Sequence, residues 1–283
     1  LILWQVRLPR TVASILVGSA LGASGGLLQS LLRNGLAGPF LLGISAGSGL
    51  MVIMAIVLGI YLAYIPILAW IGALLTVILV AVISNSSSGI SIQKLILSGV
   101  AISSLFGAIQ SVLLLRSDDS RIQTALQWLI GSLNSIEWGL LVICGSMIIA
   151  GLISTLFCLK SWDILNLDDS MAKNMGLNIS TKRLTIALIA TCLSASAVSI
   201  SGLIGFVGLV APHSARIILS TNVPSKVVPA SAVLGAIFLL ISDTISRSFA
   251  NELPVGAITS LFGSPLFIIL LMRLNSQKQM TSQ

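Results

Sequence analysis

The sequence predicts an all-α integral membrane protein, a polytopic helical bundle that forms one transmembrane domain over residues 1–283. Hydrophobic residues make up 56% of the chain and charged residues only 8%, and the mean hydropathy is +1.07. So few polar side chains could not cover a water-facing surface. Nine apolar stretches approach the ~20 residues that a helix needs to cross a bilayer. They lie at 11–32, 40–59, 65–83, 95–115, 137–158, 184–200, 203–219, 227–249 and 255–273.

The basic residues predict an orientation for these nine spans. If the first residue lies outside, ten of the fifteen Lys and Arg residues fall in inside segments and five in outside segments. This asymmetry follows the positive-inside rule. It also accounts for the net charge of +7, so membrane lipid is the expected partner of these charges and nucleic acid is not.

The first span carries a stripe of small residues that predicts close helix packing. Gly18, Gly22 and Gly26 recur every four residues, and the same face continues through Gln29 to Arg33. Small residues let helix backbones approach closely in a membrane. The polar continuation indicates that this face turns toward the bundle interior or a cavity. A glycine zipper that ends in an interfacial arginine explains Arg33 equally well.

A second unusual segment combines glycines, a proline and the only histidine. Gly202, Gly205 and Gly208 recur every third position, and Pro212 removes a backbone donor next to His213. Irregular backbone survives in a bilayer only where protein or a water-filled cavity surrounds it. We therefore expect this segment inside the bundle, near a pathway or a moving joint. The alternative is a tightly packed helix with a proline kink.

These residues also carry a family resemblance. The stretch GFVGLVAPHSAR at 205–216 resembles the signature of the permease subunits of type II ABC importers, which take up ferric siderophores, haem and cobalamin. Three further stretches agree in the same order: WQVRLPRT at 4–11, LLQSLLRNGLAGPFLLGISAGSG at 27–49, and DTISRSFANELPVGAITSLFGSPLFIILL at 243–271. Two features depart from the family. The usual Asn-Pro-Leu-Ala reads Asn-Gly-Leu-Ala at 34–37, and the sequence starts at a motif that follows the first of ten spans in the family.

The resemblance implies a function and a set of partners. The chain is expected to be a multi-pass permease of the bacterial inner membrane that moves an iron-siderophore or a related metal chelate, such as haem or cobalamin, from periplasm to cytoplasm. Its expected partners are a second copy in a homodimer, a cytoplasmic ABC ATPase pair and a periplasmic substrate-binding protein. No cofactor, metal site or enzymatic activity is expected, because no GxxxxGK[ST] or HExxH motif occurs.

A secondary, ion-coupled transporter is the alternative. Such a protein needs an ion or proton site in mid-membrane. Asp243 is the sole candidate carboxylate, and Arg247, four residues later, is expected to neutralise it.

Three groups of site residues follow from the resemblance. The first is the outer rim, where Arg7, Arg10 and Arg247 match positions that receive acidic side chains of the binding protein in a cobalamin importer of the family. A guanidinium suits this task because it pairs bidentately with carboxylate and stays charged. Headgroup anchoring is the competing interpretation for such arginines.

The second group lies in the inside loop at about 160–183, which resembles a coupling helix that seats in the ATPase. Leu167, Met171 and Met175 form one apolar stripe on a helix that Gly176 ends. The residues assigned to ATPase coupling are Leu167, Asp168, Met171, Ala172, Met175 and Gly176. A helix lying on the bilayer surface is the alternative.

The third group is a cytoplasmic gate at Ser91, Ile92 and Gln93, between the third and fourth spans. This assignment depends on position alone.

Overall fold

The computed structural model describes residues 2–86, 89–90, 92–134, 136–165, 179–249 and 252–281, and over these residues the chain is a helical bundle. Its helices are α1 Leu8–Leu31, α2 Ile44–Val57, α3 Ile65–Ser84, α4 Ile92–Leu115, α5 Asp119–Ile130, α6 Trp138–Leu165, α7 Ile179–Ser201, α8 Val207–Leu219, α9 Pro224–Ser246 and α10 Val255–Thr281. A π-helical turn, Leu3–Arg7, runs directly into α1, and 3₁₀ turns occupy Pro39–Leu42 and Leu62–Tyr64. Two-residue strands, β1 Asn85–Ser86 and β2 Gly89–Ile90, pair antiparallel between α3 and α4.

The helices confirm the predicted fold class, a polytopic membrane bundle. Six helical segments of the described chain are long and apolar enough to cross a membrane: Leu3–Leu31, Ile65–Ser84, Ile92–Leu115, Trp138–Leu159, Ile179–Ser201 and Pro224–Ser246. Three shorter apolar helices, Ile44–Val57, Val207–Leu219 and Val255–Ile269, coincide with the remaining predicted spans. The count of nine spans therefore stays a prediction.

The sequence does not predict helix α5; it predicts an outside loop between α4 and α6. Its helical turns follow Asp118, which has an extended backbone, and end at Gly131, which has φ +80°. Asp119 in the first turn is favourable near the positive end of the helix dipole. Because α5 is short and buries only Ala125, its hydropathy does not distinguish it from a polar loop.

Helix α1 lies at the centre of the bundle and packs most extensively against α9, then against α7 and α8. A Cβ atom at Gly18 would lie 2.4 Å from the carbonyl oxygen of Gly235 in α9. At Gly25 it would lie 1.9 Å from the carbonyl oxygen of Gly208 in α8. Only glycine permits such backbone approach, so the predicted close packing of this helix is confirmed. The sequence pattern missed Gly25, which is the tightest contact on α1.

Candidate functional site

Two arginines and two carboxylates meet at the end of the bundle that the charge distribution assigns to the outside. We call Arg10, Asp243, Arg247 and Glu252 the outer charge cluster. The Nε atom of Arg10 donates to Asp243 Oδ1 at 2.8 Å, and its Nη1 atom donates to Glu252 Oε2 at 2.7 Å. The Nε atom of Arg247 donates to Asp243 Oδ2 at 2.9 Å. The cluster therefore joins the start of α1 to the end of α9 and to the turn before α10.

The cluster changes the interpretation of the three rim arginines. The sequence places Arg10 on the outer rim, but the residue is only 7% exposed, and its guanidinium pairs with Asp243 and Glu252. Arg7 is exposed, one turn before Arg10, and the Arg247 side chain is 27% exposed. The predicted pairing of Arg247 with Asp243 is confirmed. The pairing of Arg10 with Glu252 had no signal in the sequence, since the two residues lie 242 positions apart.

Three glycines form a junction deeper in the bundle. The amide of Gly256, at the start of α10, donates to the carbonyl oxygen of Gly131 at 3.1 Å. A Cβ atom at Gly256 would lie 1.8 Å from the carbonyl oxygen of Ile130. At Gly202, where φ is +68°, it would lie 2.3 Å from the carbonyl oxygen of Trp128. The end of α5, the break between α7 and α8 and the start of α10 are therefore in backbone contact.

An apolar cavity of about 600 Å³ lies beside this glycine junction. Its lining residues come from the α1–α2 loop, α5, the segment between α7 and α8, the start of α8, and α10. They are Leu36, Gly38, Leu41, Leu129, Ile130, Leu203, Gly205, Phe206, Leu209, Gly256, Ala257 and Ser260. Phe206 has φ +66°, a left-handed conformation that costs energy for a residue with a side chain. Gly263 of α10 lies against this residue, since a Cβ atom at Gly263 would lie 2.5 Å from the Cβ atom of Phe206.

A polar cavity of about 780 Å³ lies at the opposite end, between the C-terminal ends of α1 and α8 and the start of α9. Arg33, Arg216 and His213 line it, and none of its described lining residues is acidic. Gln29 is 2% exposed and accepts a hydrogen bond from Arg216 through its Oε1 atom. The polar continuation of the α1 stripe therefore faces a cavity inside the bundle, as predicted. The positive charge of this cavity agrees with its assignment to the cytoplasmic end.

The loop between α1 and α2 contributes to both cavities. Arg33, Asn34 and Gly35 line the polar cavity, whereas Leu36 and Gly38 line the apolar one. The loop that departs from the Asn-Pro-Leu-Ala pattern therefore lies between the two spaces.

The segment with the glycines and the histidine is irregular and largely buried. Helix α7 ends at Ser201, and the backbone resumes helical geometry at Val207. Pro212 lies inside α8, and His213 is 5% exposed, with its ring centroid 6.2 Å from that of Phe267. Gly202 and Gly208 are buried and Gly205 is half-buried. Among the described residues, no group of three His, Cys, Asp or Glu side chains is placed to hold a metal ion.

Two groups of predicted site residues lie wholly or partly outside the described residues. The coupling residues Leu167, Asp168, Met171, Ala172, Met175 and Gly176 all belong to 166–178, and the gate residue Ser91 is also outside. Of the other gate residues, Ile92 is half-buried and Gln93 is exposed at the start of α4. Asp163, near the end of α6, accepts a 2.9 Å hydrogen bond from the backbone amide of Ser225. The predicted loop at 160–183 therefore begins as the last turns of α6, which lie against the start of α9, beside the polar cavity.

Comparisons with known proteins extend over the whole bundle. The hemin transport system permease protein HmuU of Yersinia pestis is 36% identical over 284 residues, with 97% of this chain and 84% of that protein covered. The cobalamin import system permease protein BtuC of Halobacterium salinarum is 35% identical over 272 residues, with 95% and 73% covered.

A solved structure has the same fold as this chain. It is described as an inward-facing conformation of a metal-chelate type ABC transporter, and it superposes with a TM-score of 0.91 at 31% identity over 96% of this chain and 87% of that one. A family model, that of the FecCD transport family, matches residues 1–273. The chain belongs to the FecCD transport family.

Proposed function

We propose that the chain is the permease subunit of an ATP-binding-cassette importer that moves a metal chelate from the periplasm to the cytoplasm across the bacterial inner membrane. The observation that carries this proposal is the end-to-end similarity to relatives named for hemin and cobalamin transport and to a metal-chelate type transporter. Ferric siderophores, haem and cobalamin are the proposed substrate classes, and an iron-siderophore is our first candidate.

The interior of the bundle supports a transport role. The apolar cavity has a volume of about 600 Å³ and the polar cavity one of about 780 Å³, and the α1–α2 loop lies between them. We propose that the residues lining the apolar cavity form part of the wall of the substrate pathway. The glycine junction would hold α5, the α7–α8 break and α10 together beside this wall, and Ser91, Ile92 and Gln93 would close the pathway at the cytoplasmic end.

The charged groups do not favour the secondary transporter. Asp243 is fully buried, but two arginines already share its carboxylate. A cation would have to displace a guanidinium from a buried pair, which costs several kcal/mol. The site is therefore better suited to holding helices together than to binding a transported ion.

The outer end supports docking of an acidic partner. Arg7 is exposed, and Arg247 keeps part of its side chain in contact with solvent. We propose that these two residues make the first contacts with carboxylates of a periplasmic binding protein and that Arg10 lies behind them. The coupling residues at 166–178 would bind the ATPase at the other end, where the end of α6 contacts the start of α9 through Asp163.

Helix α4 supports the pairing of two copies. In its most apolar 18-residue stretch, only 17% of the α4 segment is buried inside the protein, against 72% in the corresponding stretch of Leu3–Leu31. Ala101, Ser104, Ala108 and Ser111 form an exposed stripe on this helix, and the two serine hydroxyls donate to carbonyl oxygens of the preceding turn. Because the hydroxyls are satisfied and the residues are small, the stripe permits close contact with a second helix. We propose that it contributes to the homodimer interface.

ATP hydrolysis in a reconstituted complex tests the proposal. The permease would be held in nanodiscs with its ATPase, and the rate would be measured with and without a binding protein loaded in turn with a ferric siderophore, haem or cobalamin. We expect one loaded binding protein to stimulate hydrolysis. The control permease carries Met171→Asp and Met175→Asp, which should abolish the stimulation. No stimulation by any loaded protein would contradict the importer assignment.

A further inference from the structure

The Arg10 guanidinium pairs on one side with a fully buried carboxylate and on the other with a half-exposed one. Asp243 is fully buried and also binds Arg247, whereas the Glu252 side chain is 48% exposed. Glu252 belongs to the turn between α9 and α10, and within the described chain its side chain makes a single ion pair, with Arg10. Because Glu252 is half exposed whereas Asp243 is fully buried, Glu252 is the member of the cluster that a partner could reach and replace.

The charge of the cluster makes this exchange significant. The charges of the two arginines and two carboxylates sum to zero, so the cluster attracts an acidic partner little while Glu252 remains bound. The Nη2 atom of Arg10 is buried and has no hydrogen-bond partner among the described residues. Arg10 therefore has one donor occupied by Glu252 and a neighbouring donor available in the same fork, which is the geometry that a carboxylate accepts bidentately.

We propose that, in the free permease, Glu252 occupies the place on Arg10 that an acidic side chain of the periplasmic partner takes when it docks. When the partner docks, one of its acidic side chains replaces Glu252 on the Nη1 and Nη2 atoms of Arg10, and Glu252 turns to solvent. Glu252 thereby lowers the affinity for the partner and makes docking selective for proteins that present a correctly placed carboxylate. This inference rests on the proposed function, since it requires that a binding protein docks at this end.

The test compares two charge-neutralising variants at the same end of the bundle. Glu252→Gln removes the competing carboxylate. Glu137→Gln is the matched control, because it removes an exposed carboxylate at the same end of the bundle. Glu137 directly precedes Trp138 of α6, whose indole donates to the Trp4 carbonyl oxygen in the turn that leads into α1. Affinity for the substrate-loaded binding protein would be measured on the full permease in nanodiscs. We expect Glu252→Gln to tighten binding by about 3- to 10-fold beyond the effect of Glu137→Gln.

A second background separates competition at Arg10 from general attraction. Arg10→Lys keeps the positive charge beside Asp243 but removes the fork that Glu252 and a partner carboxylate would share. In this background Glu252→Gln should have no larger effect than Glu137→Gln. An equally large effect in both backgrounds would overturn the inference.

Arg7→Glu distinguishes failure of the inference from failure of the docking proposal. If Arg7→Glu weakens binding while Glu252→Gln matches its control, docking stands and the competition by Glu252 is refuted. If the binding protein does not bind the unmodified permease, or if Arg7→Glu leaves its affinity unchanged, docking at this end is refuted and the inference fails with it.

Discussion

Neutralising Asp243 is the most informative change to the outer charge cluster. Asp243→Asn preserves the shape of the side chain but leaves Arg10, whose side chain is 8% exposed, with only Glu252 as a charged partner. Arg247 loses the carboxylate that it binds. Removing one member of a buried ion pair typically costs about 3–5 kcal/mol. Because Arg247 is 27% exposed and can turn to solvent, we expect a value near the lower limit, about 3 kcal/mol, or roughly a hundredfold change in the unfolding equilibrium.

Reversible unfolding in mixed detergent micelles measures this free energy. Glu252→Gln is the comparison, since the Glu252 side chain is 48% exposed and its loss should cost less than about 1 kcal/mol. A cost for Asp243→Asn below about 1 kcal/mol would refute the claim that the cluster stabilises the fold. A cost for Glu252→Gln as large as that of Asp243→Asn would show that the exposed carboxylate is not exchangeable.

Three further outcomes are expected. Met171→Asp combined with Met175→Asp should detach the ATPase while the permease stays inserted, and an ATPase that still co-purifies at full stoichiometry would contradict the coupling assignment. Gly25→Ala should destabilise the bundle by about 1–3 kcal/mol in the same unfolding assay, because its Cβ atom would lie 1.9 Å from an α8 carbonyl oxygen. Gly139→Ala, where the Cβ atom meets nothing within 4 Å, should be nearly neutral. Arg7→Glu should weaken binding of the periplasmic partner, and more strongly at low salt, where repulsion is less screened; an unchanged affinity at both salt concentrations would refute docking at this end and identify Arg7 as a headgroup anchor.

The sequence was sufficient for the features that depend on composition and local periodicity. Long apolar runs predict the spanning helices, because a segment that crosses a bilayer must be apolar and must satisfy its own backbone hydrogen bonds. The Gly18 and Gly22 stripe predicted the close packing of α1, since few other patterns put small residues on one helix face. Gly202, which adopts a positive φ angle, indicated the break before α8.

The features that the sequence did not predict depend on contacts between distant segments or on short helices. Helix α5 has too few apolar residues to be recognised by hydropathy. The buried Arg10 pairs with Asp243 and Glu252, which lie more than 230 positions away and carry no local sign of their partner. The contact of Gly256 with Ile130 likewise requires α5 and α10 to meet, and no periodicity within either helix encodes that meeting.

Uptake into proteoliposomes tests the central claim, that this permease belongs to an ATP-driven importer of metal chelates. The permease and its ATPase would be reconstituted with ATP trapped in the compartment that contains the ATPase, and a substrate-loaded binding protein would be added on the other side. We predict that the chelate accumulates only when ATP and the binding protein are both present, and that collapsing proton and sodium gradients has no effect. Accumulation driven by an imposed ion gradient without ATP would contradict the account and would identify a secondary transporter.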